Sequence, residues 1–420
     1  MVIIFLVESY MRGRVSLGAS WRGRRETIAV FTFSLYSLLP LITLSMWTII
    51  FCLSYSWHTA APMALYLVWA CALDSSATSG RRTPWLRKYA WWHYYADFFP
   101  ISLVKTADLD PSQTYVMGYH PHGIISVGAF SAFATEGAHC LDMTPHATAT
   151  RGKRGFSSLF PGVHTRLVTL PINFRTPLLR EYILSLGCVN SAAATFRSVL
   201  RQGPGSALVV VVGGAEESLS TIEGGMHLVL ERRKGFVREA IAAGACLVPI
   251  LAYGENDVYR VFESAPDSAV GRLQAVLKRT VGFTVHIQGS HSARTLSTVA
   301  VWVLSPLWRV HWRVLQVPMF RGRSIFFKNA GLLPRRCPIT CVVGAPLPPP
   351  PRASNAPPFR PKFERGDAGS APVPLNDDAR TLEAHHQKYV EALKALYHVT
   401  KSQPWNAPGL ARNESLRIVG

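Results

Sequence analysis

Acidic side chains are scarce in this 420-residue chain, 25 against 44 lysines and arginines, which leaves a formal charge of +19 and an isoelectric point near 10.0. So positive a balance suits an anionic partner: a lipid surface, a phosphorylated co-substrate or a nucleic acid. Nucleic acid is disfavoured, because the chain lacks a zinc finger, a basic zipper and an aromatic RNA-binding signature, and its basic residues are scattered. A Gly-x-Ser-x-Gly elbow is also missing, which argues against a serine hydrolase. The seven cysteines, Cys52, Cys71, Cys140, Cys188, Cys246, Cys337 and Cys341, are odd in number and widely spread. They offer no disulfide framework and suit a reducing compartment. Cys337-x3-Cys341 has no second pair, and His385 and His386 lie far downstream, which argues against a zinc site. Finally, no charged residue occurs from Ile28 to Trp57.

That uncharged stretch exceeds the roughly 20 apolar residues a bilayer-crossing helix needs, and the positive mean hydropathy of +0.15 also points to membrane. The apolar Met1 to Val7 comes before Arg12, Arg14, Arg22, Arg24 and Arg25, the reverse of a secretory signal, so no cleavage is expected there. A second uncharged segment, Met63 to Leu73, follows His58 and Pro62 and is itself followed by Arg81, Arg82, Arg87 and Lys88. Basic flanks on both sides predict a transmembrane helical hairpin over 28–75, with Pro62 near its turn and both ends in the cytosol. One crossing plus an interfacial segment, or a re-entrant wedge, fits the same text. Residues 1–27 then form a basic cytosolic N-terminus. Trp85, Trp91, Trp92, Tyr94 and Tyr95 suit an interfacial belt or a core cluster.

From 90 to 401 short apolar runs alternate with helix-like stretches, the pattern of an α/β domain. Strands are predicted at Leu167–Leu170, Ala207–Val212 and Cys246–Leu251, the second being a continuous apolar run that ends in Gly213-Gly214. Helices are predicted at Pro177–Leu186, Thr195–Arg201 and Phe236–Ala243, the last closed by Gly244. Residues 285–317 are apolar and aromatic but interrupted by His286, His291, Arg294, Pro306 and Arg309, and read as an insertion. Residues 346–374 form a proline-rich loop. Leu382, His386, Tyr389, Val390, Leu393, Leu396 and Tyr397 recur at helical spacing, so an amphipathic helix is expected from Ala379 to His398, with 402–420 as a C-terminal tail.

Tyr119-His120-Pro121-His122-Gly123 lies between the apolar runs 115–118 and 124–127. Proline disfavours the helical region for the residue before it, so the pentapeptide belongs at a strand end or tight loop. In an extended chain alternate side chains share a face, so His120 and His122 are expected to address the same space as general-base candidates. Satisfied core histidines are the plain alternative; a metal pair lacks a third ligand at a recognisable spacing. Asn173-Phe174-Arg175 with Pro177, Arg180 and Glu181 sets two guanidinium groups near a predicted helix start, suited to phosphate or carboxylate. In Gly213-Gly214-Ala215-Glu216-Glu217-Ser218 glycine amides can approach an oxyanion or phosphate, and an acid can orient a histidine. Arg232-Arg233-Lys234-Gly235-Phe236 gives a third cationic point.

Together with Asp97-Phe98-Phe99-Pro100-Ile101, Leu247-Val248-Pro249-Ile250, Gly254-Glu255-Asn256, Gly331-Leu332-Leu333-Pro334 and His386 with Tyr389, these motifs stand in the order of a known family. Over most of Ala90 to Lys401 the chain resembles the diacylglycerol acyltransferase type 2 family, which includes monoacylglycerol acyltransferases and wax-ester-forming members. The resemblance implies an α/β fold, a glycerolipid-acyltransferase-like mixed sheet flanked by helices behind an N-terminal membrane-embedded hairpin. It implies transfer of a fatty acyl group from acyl-CoA to the free hydroxyl of diacylglycerol. The expected location is the endoplasmic reticulum membrane, with the catalytic domain cytosolic, and the lipid droplet surface is a second one. Acyl-CoA is a co-substrate, and no resident cofactor or metal is expected. The expected partners are membrane lipid, diacylglycerol and acyl-CoA, not nucleic acid, and homo-oligomerisation is left open.

The His-x4-Asp motif usual in the wider acyltransferase class is absent at both histidines, so the partner acid is open. On this reading His120 or His122 removes the acceptor proton, Glu217 orients it with Glu136 as runner-up, and amides near Gly213 and Gly214 steady the oxyanion. Arg175, Arg180, Arg233 and Lys234 would meet the CoA phosphates. Monoacylglycerol or a long-chain alcohol as acceptor, and a catalytically silent lipid-droplet protein, are the competing readings. The 285–317 insertion, the long proline-rich loop and Glu216 beside Glu217 depart from the family pattern.

Overall fold

The continuous apolar runs become the inner strands of one sheet. In the computed structural model, residues 21–33, 35–147, 152–219, 221, 223–261, 320–321, 333–351, 375–403 and 416–419 are described. The insertion 285–317 and most of the proline-rich loop and C-terminal tail lie outside them. The strands are β1 (Ile101–Lys105), β2 (Tyr115–His120), β3 (His139–Asp142), β4 (His164–Thr169), β5 (Cys188–Asn190), β6 (Ser206–Val211), β7 (His227–Val229), β8 (Cys246–Tyr253), β9 (Arg260–Val261), β10 (Phe320–Arg321), β11 (Ile339–Val343) and β12 (Arg417–Val419). Eight of them form a sheet in the order β3-β1-β11-β8-β2-β6-β4-β5. Neighbours run parallel except at β11/β8. β2, which carries the histidines, is therefore flanked by two parallel strands that are also apolar, the arrangement of a sheet covered on both faces.

The pleat sorts side chains into two cores. Leu103, Tyr115, Met117, Tyr119, Val209, Val248 and Cys341 point to one face. Val104, Val116, Leu208, Leu247, Leu251 and Val342 point to the other. The longer helices are α1 (Trp21–Phe33), α2 (Leu35–Tyr55), α3 (Trp57–Val68), α4 (Trp91–Phe98), α5 (Leu179–Ser185), α6 (Ala193–Leu200), α7 (Gly214–Leu219), α8 (Gly235–Ala243) and α9 (Leu375–Thr400). Trp92, Tyr95 and Phe98 of α4 cover the first face. Phe196 of α6, Phe236 and Val237 of α8, and Tyr389, Val390 and Leu393 of α9 cover the second. The helices and strands expected between 167 and 251 and the closing helix are present, their ends moved by a few residues, and Gly244 ends α8 in the left-handed region.

The N-terminal part differs from the simple hairpin. α1 runs across the expected 27/28 boundary and lies against α4: Arg22 pairs with Asp97 at 2.8 Å and Arg25 donates to the Tyr94 hydroxyl at 3.0 Å. Ala29 and Val30 are buried in the same cluster as Trp92, so the start of the uncharged stretch meets protein. The break between α2 and α3 falls at the extended Ser56, not at Pro62, which sits inside α3. A proline there removes one backbone bond without supplying the turn; the Thr59 hydroxyl instead bonds the Cys52 carbonyl at 2.7 Å across the break. Trp47, Phe51, Tyr55, Trp57, Leu65 and Val68 are exposed on this pair. Among the described residues no helix is long and apolar enough to cross a membrane.

Candidate active site

β2 ends at His120, and the chain then turns through Pro121 to Gly123, whose φ is +58°. The parallel neighbour β6 ends beside it: Tyr119 stands opposite Val211, and the Val212 amide donates to the Tyr119 carbonyl at 3.4 Å. The histidine loop and the Gly213-Gly214 turn that opens α7 are thereby side by side, at carboxyl ends of parallel strands where α/β sheets hold ligands.

Past the turn the two imidazoles meet different partners. His120 Nε2 lies 3.0 Å from the Tyr389 hydroxyl of α9, and the residue is fully buried. Tyr389 donates to the Gly118 carbonyl at 3.2 Å, so the imidazole Nε2 carries a proton and donates to Tyr389. His120 Nδ1 is buried with no hydrogen-bond partner among the described residues. Burial pushes its pKa down to about 3, which keeps the ring neutral.

His122 is only half-buried. Its Nδ1 lies 2.9 Å from the Gly123 carbonyl and 2.7 Å from Ser218 Oγ. A carbonyl only accepts, so Nδ1 carries the proton, and Ser218 passes its own to the Gly214 carbonyl at 3.3 Å. That tautomer leaves the Nε2 lone pair as the basic atom. Burial lowers the pKa of His122; the Gly123 carbonyl opposes this and the charge of Arg233 adds to it.

Glu217 meets the histidine loop through the backbone. Its Oε1 accepts the His122 backbone amide at 2.5 Å and its Oε2 the Val229 amide at 2.8 Å. It holds the loop, while Ser218 and the Gly123 carbonyl orient the ring. Burial raises the Glu217 pKa to about 7 against the pull of those two amides and Arg233. A second buried acid, Glu255, lies under the same loop, accepting the Tyr119 hydroxyl at 2.6 Å and the Gly128 amide at 2.9 Å. Its pKa is also pushed up to about 7 by burial.

The other expected site residues divide. Glu136 accepts the Ser157 amide and hydroxyl at 3.0 and 3.1 Å and lies 3.7 Å from Arg82 and Arg87; no hydrogen bond joins it to either histidine among the described contacts. Arg180 is buried against Asp74 at 2.7 Å and Glu181 at 2.8 Å, in a network that ties the segment following α3 to α5, so its charge is already matched. Arg175 is exposed. Arg233 reaches the Gly213 carbonyl at 3.2 Å and Glu216 at 3.0 Å, which puts a cation at the Gly213-Gly214 turn; Lys234 next to it pairs with Glu383 of α9. The sequence by itself assigns no chemical role to Ser218 or Glu255, and Tyr389 falls on the periodic face of the closing helix. Ser218 was within reach of the sequence, one residue past the acid in the same short motif. Tyr389 and Glu255 lie over a hundred residues away, and only the fold brings them in.

A family profile described as diacylglycerol acyltransferase matches residues 49–309. The chain belongs to this family. It is 36% identical over 331 residues to diacylglycerol O-acyltransferase 2A of Umbelopsis ramanniana, covering 78% of each chain. It is 36% identical over 363 residues to diacylglycerol O-acyltransferase 2 of Xenopus tropicalis, covering 85% of this chain and 79% of that one. Similarity to 2-acylglycerol O-acyltransferase 1 of Bos taurus reaches 33% over 397 residues, 94% of this chain and 95% of that one. No solved structure matches. The diacylglycerol acyltransferase stretch includes both histidines and the 213–218 and 232–236 motifs.

Proposed function

We propose that this protein is an acyl-CoA-dependent O-acyltransferase that moves a fatty acyl group to the free hydroxyl of diacylglycerol, making triacylglycerol, with His122 as the general base. The observation that carries this is the half-buried His122, whose Nδ1 is held by the Gly123 carbonyl and Ser218 and whose Nε2 keeps its lone pair. The acceptor O–H gives its proton to Nε2 as its oxygen attacks the thioester carbonyl. The tetrahedral oxyanion meets the amides at Gly213 and Gly214, the C–S bond breaks, and the leaving thiolate takes the proton back from His122. Arg232, Arg233 and Lys234, next to that turn, receive the CoA phosphates. His120 is a positioning residue that locks the end of β2 to α9 through Tyr389.

The exposed aromatic and aliphatic side chains of α2 and α3 supply a lipid-facing surface, consistent with work at the endoplasmic reticulum membrane or a lipid droplet and with a lipid acceptor. Monoacylglycerol is the second acceptor, favoured by the near full-length similarity to the 2-acylglycerol enzyme of Bos taurus. The test is expression in a triacylglycerol-deficient cell, with labelled oleoyl-CoA and each acceptor supplied in turn. Labelled triacylglycerol from diacylglycerol is the expected product; label only in diacylglycerol or in wax ester would reassign the acceptor, and no labelled lipid would refute the activity.

A further inference from the structure

Glu216 and Glu217 are sequence neighbours at the start of α7, about 100° apart around the helix, and they face different surroundings. Glu217 turns inward and holds the His122 amide. Glu216 is exposed and lies between two guanidinium groups: Oε2 is 3.0 Å from Arg233 Nη2, and Oε1 is paired with Arg232. Lys234 is paired with Glu383. All three cations assigned to the CoA phosphates therefore already hold a carboxylate of this chain. The guanidinium fork fits a phosphate and a carboxylate alike, so an arriving phosphate competes with Glu216 for one Nη2 of each guanidinium.

We propose that Glu216 is an internal competitor for the acyl-CoA phosphates, and that its release from Arg232 and Arg233 sets the affinity for the acyl donor. The proposal rests on the reading of Arg232–Lys234 as the donor site. Arg232 and Glu216 are 53% and 45% exposed, so the carboxylate can swing into solvent without unfolding α7. Exposed pairs of this kind are weak, and a phosphate brings more charge than the carboxylate it replaces. The exchange is therefore downhill, with Glu216 lowering donor affinity and keeping the cluster from holding stray anions.

The experiment uses the full-length protein in membranes and reads two quantities: KM for oleoyl-CoA, and the inhibition constant of adenosine 3′,5′-bisphosphate, which carries phosphates without the acyl chain. In Glu216→Gln both are expected to fall about two- to five-fold, and the difference from the parent should shrink at high salt. Arg232→Gln should raise both and shrink the effect of Glu216→Gln in the double variant, where only the Arg233 pair is left to release. Should Glu216→Gln fail to accumulate, Glu216→Ala, which also removes the competing carboxylate, is expected to lower the same two constants. Unchanged or raised constants in the Glu216 variants overturn the proposal. Turnover that is indifferent to Arg232→Gln and Arg233→Gln overturns the donor site beneath it, while a parent protein with no turnover refutes acyl transfer itself.

Discussion

His122 keeps a proton on Nδ1 through the Gly123 carbonyl and Ser218, and burial together with Arg233 makes the ring harder to protonate than an ordinary histidine. Its pKa is therefore below 6.5, and the neutral, proton-accepting form persists as pH falls through that value. The acid limb of kcat/KM is expected below pH 6.5, measured as initial rates from pH 5 to 8; a limb centred above 7 would contradict this assignment. Ser218→Ala removes one of the two groups on Nδ1 and should lower kcat about five- to ten-fold, in line with roughly 1 kcal/mol for such a bond. The rate constants of the variant in membranes check it. Glu217 works one step further back, on the backbone amide of His122, which the sequence could not tell from direct contact with the ring.

At the scale of elements, Tyr389 fastens α9 to the catalytic strand. Tyr389 Oη reaches both the Gly118 carbonyl and His120, and a Cβ on Gly118 would lie 2.1 Å from that oxygen. Gly118→Ala must push α9 off the sheet or bend β2, and is expected to destabilise the protein by about 1–3 kcal/mol; Tyr389→Phe, which only removes the hydroxyl, by about 1 kcal/mol. Thermal unfolding of the two variants beside the parent separates these outcomes. The strands and helices near the site were legible because their apolar runs and periodic faces are local, as in Ala207–Val212 and Phe236–Ala243. Ser56 was not legible as the break between α2 and α3, since nothing in its type competes with the proline six residues on. The division of labour between His120 and His122 was hidden for another reason: it depends on a turn that ends strand alternation and on a helix 269 residues away.

Over the whole molecule, two buried carboxyls lie beneath one loop, Glu217 and Glu255, each with its pKa raised to about 7. The native state holds their protons more tightly than the unfolded chain. Their contribution to stability is fully present below about pH 4.5 and is lost as pH rises through 7. Glu217→Gln should therefore flatten the fall in Tm between those values; an undiminished slope would contradict the buried-acid account. The same molecule carries a charge of +19 and an exposed apolar face on α2 and α3. Aspartate at Trp47, Phe51 and Trp57 is expected to reduce flotation with liposomes while leaving the sheet folded. The central claim is that one imidazole moves the proton, and the most direct measurement compares His122→Asn and His120→Asn with the parent at matched protein levels. Acyl transfer from labelled oleoyl-CoA to diacylglycerol is expected to fall about 10²–10⁴-fold in His122→Asn and less in His120→Asn. Turnover by His122→Asn within a few-fold of the parent would contradict the account.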